Sequence, residues 1–256
     1  MRRFIADNEG LRPAPGRKTY SKFILSQKIE KATAQDAFVG AIIYGAQRLG
    51  KSSYAAQVLY EVYHDWGEVN RHIVFKLEDV VRLLRDAVLS NRKIPALCWD
   101  DAGVHGSKLL YFRNRDLVEY LQNLTDVIGL NLTALLITTP NPLNLLKAIR
   151  GYEFMRVKCY RRDDFNGRYA VGYQSVLLPS GTRLIKRLYR DNYKVMLPDE
   201  FWKPYLVKRK GYLIEGIQRL EEVLDRKRQR ISDDELDELE LKGRSGVVER
   251  EGATVA

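Results

Sequence analysis

A glycine-bearing loop pattern constrains this chain more than any other feature of its sequence. Residues 45–52 read Gly-Ala-Gln-Arg-Leu-Gly-Lys-Ser, which fits the phosphate-loop pattern G-x-x-x-x-G-K-[ST]. The apolar run 37–44 before it predicts a buried strand, and the apolar spacing over 53–63 after it predicts a helix. Strand before and helix after is the context this motif requires, so we expect a nucleoside triphosphate to bind here. The alternative is an ordinary strand–helix turn with two glycines and a surface lysine.

Each residue type in the loop has a physical task. Gly45 and Gly50 let the backbone turn its N–H groups toward a phosphate, and the following helix N-terminus adds positive partial charge. Lys51 reaches the β- and γ-phosphates, and Ser52 offers a hydroxyl to Mg²⁺. ATP and Mg²⁺ are the expected cofactors, because the chain has no Asn-Lys-x-Asp sequence that would read guanine. The expected nucleotide-binding residues are Gly45, Ala46, Gln47, Arg48, Leu49, Gly50, Lys51, Ser52 and Ser53.

A second apolar run, 94–99, ends in two carboxylates, Asp100 and Asp101. In a parallel sheet the carboxyl end of such a strand lies beside the phosphates. We expect Asp100 to hold Mg²⁺ together with Ser52, as a Walker-B acid does, and Asp101 to orient or deprotonate the attacking water. The alternative is an ordinary strand end followed by a turn.

A third apolar run, 132–137, ends in hydroxyl and amide side chains, those of Thr138, Thr139 and Asn141. The pattern resembles the sensor-1 strand of AAA-type ATPases, which implies that one of these groups contacts the γ-phosphate or the lytic water. A plain strand exit and helix cap is the alternative. Lys147 and Arg150, near the end of a helix predicted over 141–150, are candidates for a cation that completes a neighbouring subunit's site. A solvated helix end is the alternative for both.

The chain is basic, with 43 Lys and Arg against 33 Asp and Glu and a net charge of +10. That balance favours a polyanionic partner. Basic residues interleaved with tyrosines predict a DNA-binding surface, in which cations meet phosphates and rings stack on bases. The alternative is the ion-pair-rich surface of a heat-adapted protein. The residues concerned are Arg156, Lys158, Arg161, Arg162, Arg168, Arg183, Lys186, Arg187 and Arg190, with Tyr160, Tyr169, Tyr173, Tyr189 and Tyr193.

Strands alternate with helices from 37 to 161, which predicts an α/β fold: a P-loop NTPase with a mainly parallel sheet flanked by helices. One of those helices is expected near 114–127, and the glycine-bearing loop 103–107 is a hypothetical sensor of DNA or of a partner. Alternation over 168–178 and 182–189, around Pro-Ser-Gly, predicts a β-hairpin that 194–197 extends. A helix is expected to start at residue 198 and to end near 226.

These patterns divide the chain into four segments. We expect a basic N-terminal arm and helix (1–36), an ATPase core (37–161), a hairpin and helical extension (162–226) and a charged, disordered tail (227–256). Cys98 and Cys159 are dispersed, and the three histidines share no metal-ligand spacing, which indicates a reducing interior without a zinc site. No segment reaches the length of a membrane span and no secretory signal is visible, so a cytoplasmic protein without a membrane partner is expected.

The order and spacing of the three motifs resemble those of the small AAA-type, DnaA-like P-loop ATPases of archaeal viruses (fuselloviruses) and plasmids. The similarity covers 37–225 and includes the stretch Tyr-Lys-Val-Met-Leu-Pro-Asp-Glu-Phe-Trp-Lys-Pro-Tyr over 193–205. It implies an ATPase that serves the DNA of a virus or mobile element in replication, maintenance or copy control, acting as a homo-oligomer. The acidic pair departs from the Asp-Glu usual in AAA-type proteins, and no lid arginine is evident.

Three other functions remain open on the sequence. A DNA-translocating or packaging motor of the FtsK/HerA type fits the β-rich C-terminal region, because sheets of that type carry extra hairpins. A nucleotide-gated DNA-binding protein with little turnover would follow if the short side chain of Asp101 is a poor base. A small-molecule kinase shares the strand, loop and helix.

Overall fold

The computed structural model describes residues 22–102, 119, 128–161, 167–177, 179–180 and 183–251, with only the backbone described at 148, 177, 183 and 227–251. The chain divides into one unit that ends at Tyr205 and a second that begins at Leu206. The second unit consists, in its described part, of the continuation of one helix. Several predicted features lie outside the described residues: the basic arm up to residue 21, the loop 103–107, Arg162 and, apart from residue 119, the helix near 114–127.

Helices and strands alternate through the first unit, as the sequence predicts. The helices are α1 (Ile24–Ala34), α2 (Lys51–Tyr63), α3 (Trp66–Arg71), α4 (Leu77–Leu89), α5 (Lys147–Gly151) and α6 (Asp199–Glu251). Short 3₁₀ helices span Ile128–Leu130 and Pro142–Asn144. The strands are β1 (Val39–Tyr44), β2 (Ile73–Val74), β3 (Leu97–Trp99), β4 (Ala134–Thr139), β5 (Met155–Arg161), β6 (Arg168–Leu177) and β7 (Arg183–Tyr193).

The strands form a single mixed sheet in the order β2-β3-β4-β1-β5-β6-β7. The first five strands are parallel, and β6 and β7 add to β5 as an antiparallel hairpin. This confirms the α/β class, the mostly parallel sheet and the hairpin. Because β4 lies between β1 and β3, the carboxyl ends of these three strands meet at the same edge of the sheet, with Tyr44 paired to Thr139.

Both faces of the parallel part are covered by helices, which explains why its strands are almost continuously apolar. On one face α4 packs its buried stripe, Leu77, Val80, Leu84 and Ala87, in a core cluster with Ile42. The spacing of that stripe is the amphipathic period of a helix. The cluster also contains Leu97, Trp99, Leu135, Ile137, Leu145, Leu146, Ile149 and Phe154.

On the other face, α1 and α2 pack together and against the hairpin. Asp191 of β7 accepts hydrogen bonds from the Tyr54 hydroxyl at 2.7 Å and from the Ile24 amide at 3.0 Å. The rings of Tyr54 and Tyr193 lie 5.1 Å apart. Gly172 is required beneath Tyr189, because a Cβ at that position would lie 2.2 Å from the ring. The hairpin is therefore built into the core of the first unit.

A proline in the first turns of α6 leaves one helix carbonyl without a donor from within the helix. Pro204 has no N–H, so the carbonyl of Glu200 lacks its usual helical partner. The side-chain amide of Asn70 donates to that carbonyl at 3.3 Å and to the carbonyl of Phe201 at 3.3 Å. The proline is thus accommodated without interrupting α6. No helix in the described ranges, α6 included, is both long and apolar enough to cross a membrane.

Three element boundaries differ from the sequence prediction. The segment 141–150 is not one helix but a 3₁₀ turn followed by α5, because Leu145 and Leu146 turn into the core between them. The residues 194–197 do not extend β7. The helix expected to end near residue 226 continues as α6 to Glu251, and Leu, Glu, Lys and Arg are strong helix formers there.

A pH-dependent stability follows from Glu61 on α2. Its carboxylate accepts a hydrogen bond from the Phe23 amide at 2.8 Å, and burial raises the pKa of Glu61 to about 7. The pKa of Glu61 is thus higher in the folded protein than in the unfolded chain, where it is about 4.3. The protonated carboxyl therefore contributes fully to stability below that unfolded pKa. The contribution is lost as the pH rises through about 7. We therefore expect the unfolding free energy of the wild type to fall, relative to Glu61→Gln, by about 1–2 kcal/mol between pH 4 and 8.

Urea unfolding at several pH values measures this difference. The exposed Glu221→Gln exchange on α6 is the matched control, and its pH profile should parallel that of the wild type. Parallel profiles for the wild type and Glu61→Gln would show that the carboxyl is not desolvated.

Candidate functional site

The backbone of the loop between β1 and α2 requires its two glycines. Gly45 has φ +147° and Gly50 has φ +78°, and Gly50 forms the N-cap of α2. A Cβ on Gly45 would lie 2.9 Å from the carbonyl oxygen of Cys159, so no larger residue fits there. Arg48 is also left-handed, with φ +62°. Glycine adopts such angles readily, so Arg48 is the residue of this loop whose backbone conformation is uncommon for its type.

The lysine of the motif is held against this loop. Lys51 is only 7% exposed, and its ammonium donates to the carbonyl oxygens of Gly45 at 3.1 Å and Ala46 at 3.0 Å. These are interactions of a cation with neutral acceptors. An anion at the loop would offer the same ammonium stronger, charge-assisted hydrogen bonds.

Asp100 is completely buried and accepts several hydrogen bonds. Its Oδ1 accepts hydrogen bonds from the Ser52 hydroxyl at 2.9 Å and from the Thr138 hydroxyl. Its Oδ2 accepts from the Tyr205 hydroxyl at 2.7 Å. The structure therefore brings together Ser52 and Asp100, the two residues that the sequence nominates for Mg²⁺, from the start of α2 and the end of β3.

The residues present fit a magnesium ion that is shared with phosphate groups. Mg²⁺ is commonly held in proteins by one or two carboxylates, together with substrate phosphates and waters. Ser52 and Asp100 supply one hydroxyl and one carboxylate, both hard oxygen ligands. Among the described residues there is no group of three or more His, Cys, Asp or Glu side chains that could hold a metal by themselves.

Asp101, the predicted base, sits next to this network in a left-handed conformation with φ +51°. Its amide donates to the Thr138 hydroxyl at 2.9 Å. Thr138 accepts that bond and donates to Asp100, so one hydroxyl fixes the backbone of the predicted base and the side chain of the predicted metal ligand. Asp101 itself is partly exposed, and a catalytic role for its carboxylate stays a prediction.

The neighbouring candidates, Thr139 and Asn141, make local hydrogen bonds. The Thr139 hydroxyl donates to the Asn141 carbonyl at 3.1 Å, and the Asn141 side chain accepts from the Leu143 amide at 2.9 Å. The second of these bonds caps the 3₁₀ turn Pro142–Asn144. A contact of either residue with the γ-phosphate or the lytic water stays a prediction.

The two candidate cations lie on α5. Lys147 is exposed, whereas Arg150 is partly buried and lines a cavity of about 520 Å³ together with Arg156 and Lys158. The backbone carbonyl of Arg150 accepts a hydrogen bond from Arg156 at 2.7 Å. Action of Lys147 or Arg150 on a neighbouring subunit's site also stays a prediction.

Tyr205 is the site residue that the sequence analysis missed. Its ring stacks on Phe201 with centroids 5.1 Å apart and lies 5.6 Å from Phe75, so its hydroxyl is held firmly toward Asp100. The available signal was the density of aromatic residues in the first turns of α6. That signal predicts burial, but it does not say which buried group the hydroxyl meets.

Cysteine chemistry is disfavoured at the site. The backbone of Cys159 contacts the loop at Gly45, but burial raises the pKa of the Cys159 thiol to about 11. Burial, together with the nearby charges of Asp100 and Asp101, raises the pKa of Cys98 well above its usual range. Both thiols are therefore protonated near neutral pH and are poor nucleophiles.

Comparison with known proteins gives viral relatives. No protein-family model matches the sequence. The uncharacterized protein B-251 of Sulfolobus spindle-shape virus 1 is 29% identical over 216 residues, which cover 78% of this chain and 85% of that protein. The uncharacterized protein ORF286 of Acidianus two-tailed virus is 31% identical over 165 residues, which cover 64% of this chain but only 58% of that protein. The predicted likeness to archaeal virus proteins is thus confirmed, and the AAA-type, DnaA-like assignment stays a prediction.

Among solved structures, the KaiC-like protein PH0186 from Pyrococcus horikoshii OT3 is similar at a TM-score of 0.33 and 15% identity. The match covers 59% of this chain and 89% of that protein.

The Tyr205 hydroxyl is expected to contribute measurably to stability. In Tyr205→Phe the buried carboxylate of Asp100 loses one of the three donors found among the described residues, which should lower the unfolding free energy by about 1.5–3 kcal/mol. Tyr60→Phe is the matched control, since Tyr60 stacks on Trp66 and the described part of the chain offers its hydroxyl no partner. Urea denaturation measures both variants. A difference between them below about 0.5 kcal/mol would contradict the hydrogen bond.

Proposed function

We propose that this protein is a P-loop ATPase that binds and hydrolyses ATP with Mg²⁺ and acts on the DNA of a virus or mobile genetic element. The observation that carries the proposal is the hydrogen bond of 2.9 Å between Ser52 and Asp100, beside the buried Lys51. A hydroxyl and a carboxylate brought together at the start of a helix, next to a lysine on a glycine loop, match the needs of a metal-bound triphosphate.

The loop residues perform the binding. Backbone N–H groups between Gly45 and Ser52, with the start of α2, receive the phosphates. The Lys51 ammonium exchanges its two carbonyl acceptors for β- and γ-phosphate oxygens, which it binds more strongly because they are charged. When bound, Mg²⁺ held by Ser52 and Asp100 would neutralise the negative charge that develops on the phosphate groups.

Asp101 and the groups around it perform the hydrolytic step. Asp101 orients the attacking water in line with the γ-phosphate and accepts its proton. Thr138 holds the Asp101 backbone, and Thr138 with Tyr205 fixes the orientation of the Asp100 carboxylate. Thr139 or Asn141 reports the nucleotide state. The Asp101 backbone and the Asp100 carboxylate are thus held by hydrogen bonds within the protein, which is the preorganisation that phosphoryl transfer depends on.

The DNA-linked role rests on charge and on the viral relatives. The net charge of +10 favours a polyanionic partner, and the described basic residues and tyrosines of β5, β6 and β7 lie together in one sheet. Two uncharacterized archaeal virus proteins are similar to this chain. We further propose that the protein works in the host cytoplasm as a homo-oligomer, with Arg150 or Lys147 supplied to a neighbour's site.

A DNA-translocating or packaging motor of the FtsK/HerA type is the second candidate. The observation that favours it is the extension of the parallel sheet beyond β5 by the hairpin β6–β7. A motor predicts turnover that rises on DNA and directional movement along it. An initiator or maintenance factor predicts DNA-stimulated turnover without such movement.

Phosphate release from ATP tests the proposal. Wild type should turn over ATP in the presence of Mg²⁺. Lys51→Ala should be slower by about 100-fold or more, because the ammonium of Lys51 stabilises the negative charge of the transferred phosphoryl group. Lys31→Ala, an exposed exchange on α1, is the control and should match the wild type. Each protein is assayed alone and with single- and double-stranded DNA. ATP binding without Lys51-dependent turnover would favour a nucleotide-gated binding protein, and absence of ATP binding would refute the proposal.

The role of Asp101 has its own test. Asp101→Asn should lower turnover by about 100-fold or more, because an amide cannot accept the proton of the water, and should leave DNA binding unchanged. The exposed Asp86→Asn exchange on α4 is the control. Wild-type turnover in Asp101→Asn would show that another group is the base.

A further inference from the structure

The strands β5, β6 and β7 present two faces of opposite character. Toward α1 and α2 they bury Val157, Cys159, Ala170, Tyr189 and Asp191. Their other face carries cations and aromatic rings. We call it the basic aromatic face and define it by Arg156, Lys158, Tyr160, Tyr169, Tyr173, Arg187 and Arg190, all partly or fully exposed.

Strand register places these side chains side by side. Arg156 pairs with Tyr173, and Tyr173 pairs in turn with Arg187. The irregularity between Gly172 and Tyr173 shifts the β7 register, so that Arg190, opposite Val171, lies on the same face as Arg187. Without that shift the two arginines, three positions apart, would point to opposite sides of the sheet.

The aromatic rings are already arranged in stacks with cations. Tyr160 and Tyr169 are stacked with centroids 5.0 Å apart and planes 12° from parallel. The guanidinium of Arg190 lies 4.0 Å from the Tyr169 ring, and the ammonium of Lys158 lies 5.0 Å from the Tyr160 ring. Flat rings flanked by cations can stack bases and neutralise phosphates at the same time.

A cavity of about 520 Å³ opens on the same face. Its lining includes three cations, Arg150, Arg156 and Lys158, and one carboxylate, Glu153, beside the ring of Tyr173. The volume is within the range of about 300–1,000 Å³ typical of small-ligand sites, which is room for an extruded base with its sugar. The balance of charge in the lining favours an anionic occupant.

We propose that the basic aromatic face and its cavity bind single-stranded DNA, with bases stacked on Tyr173 and Tyr160 and phosphates neutralised by Arg156, Lys158 and Arg187. Stacking on exposed rings requires bases that are not paired within a duplex, which selects single strands over double strands. The inference deepens the proposed function, on which its biological meaning rests, but DNA binding at this face is measurable without ATP.

The position of the face also links it to the phosphate loop. Lys158 pairs with Tyr44, the residue immediately before Gly45. The backbone of the next residue, Cys159, packs against Gly45, and the Tyr193 hydroxyl of β7 donates to the Leu49 carbonyl at 2.6 Å. The strands that would carry DNA on one side thus hold the loop at its two ends.

Fluorescence anisotropy with labelled oligo-dT of about 16 nucleotides, and with a duplex of equal length, tests the proposal in the absence of nucleotide. Wild type should prefer the single strand. Tyr173→Ala should weaken binding about tenfold and Tyr173→Phe should bind like the wild type, because the stacking ring is kept. Lys158→Gln should weaken binding and lower the slope of log affinity against log salt by about one.

Lys186→Gln is the matched control for charge. Lys186 pairs with Gln174 and points to the side of β7 opposite to its neighbours Ile185 and Arg187, so its loss should leave the salt slope closer to that of the wild type. Equal losses in Lys158→Gln and Lys186→Gln, no loss in Tyr173→Ala, or a preference for duplex would overturn the proposal. Competition by thymidine monophosphate as strong as by oligo-dT at equal nucleotide concentration would overturn it as well.

The two proposals fail separately in this design. Lys51→Ala should bind oligo-dT like the wild type, because Lys51 lies at the loop and not on the basic aromatic face. Normal single-strand binding without Lys51-dependent ATP turnover would refute the ATPase and keep this inference. Lys51-dependent turnover together with unchanged DNA binding in Tyr173→Ala would keep the ATPase and refute this inference.

Discussion

The buried carboxylate of Asp100 is the constraint on which the rest of the structure depends. A fully buried charge is costly unless hydrogen bonds compensate it, and here the compensation comes from Ser52, Thr138 and Tyr205. These donors belong to α2, β4 and α6, which are distant in sequence. Packing the start of α6 against the sheet therefore also completes the site, because Tyr205 belongs to both. Asn70 stabilises this arrangement by donating hydrogen bonds to α6 carbonyls near Pro204.

Strand order explains why one carboxylate can collect these partners. With β4 inserted between β1 and β3, the end of β4 lies between the glycine loop and Asp100. Thr138 is the residue of β4 whose hydroxyl reaches Asp100 and the Asp101 amide. Its neighbour Thr139 points the other way, since side chains alternate along a strand, and bonds locally instead.

Much of this was predictable from the sequence, because it depends on local patterns. The strand, loop and helix around 37–63, the hairpin and the meeting of Ser52 with Asp100 follow from periodicity and from the geometry of parallel sheets. Other features depend on tertiary packing. Two adjacent threonines give no sequence signal for which of them faces Asp100, and an aromatic-rich helix start does not reveal that Tyr205 will meet a carboxylate. The broken helix before β5 likewise follows from the burial of Leu145 and Leu146.

Strand β5 lies between β1 and the hairpin strand β6. On one side β5 hydrogen-bonds to β1 and packs its backbone against Gly45, where even a methyl group would lie 2.9 Å from the Cys159 carbonyl oxygen. On the other side it pairs with β6 and contributes Arg156, Lys158 and Tyr160 to the basic aromatic face. On the side of the glycine loop β5 leaves no room for a larger residue at position 45, because the interior there is close-packed. The strand that packs against Gly45 is therefore the same strand that contributes to the basic aromatic face.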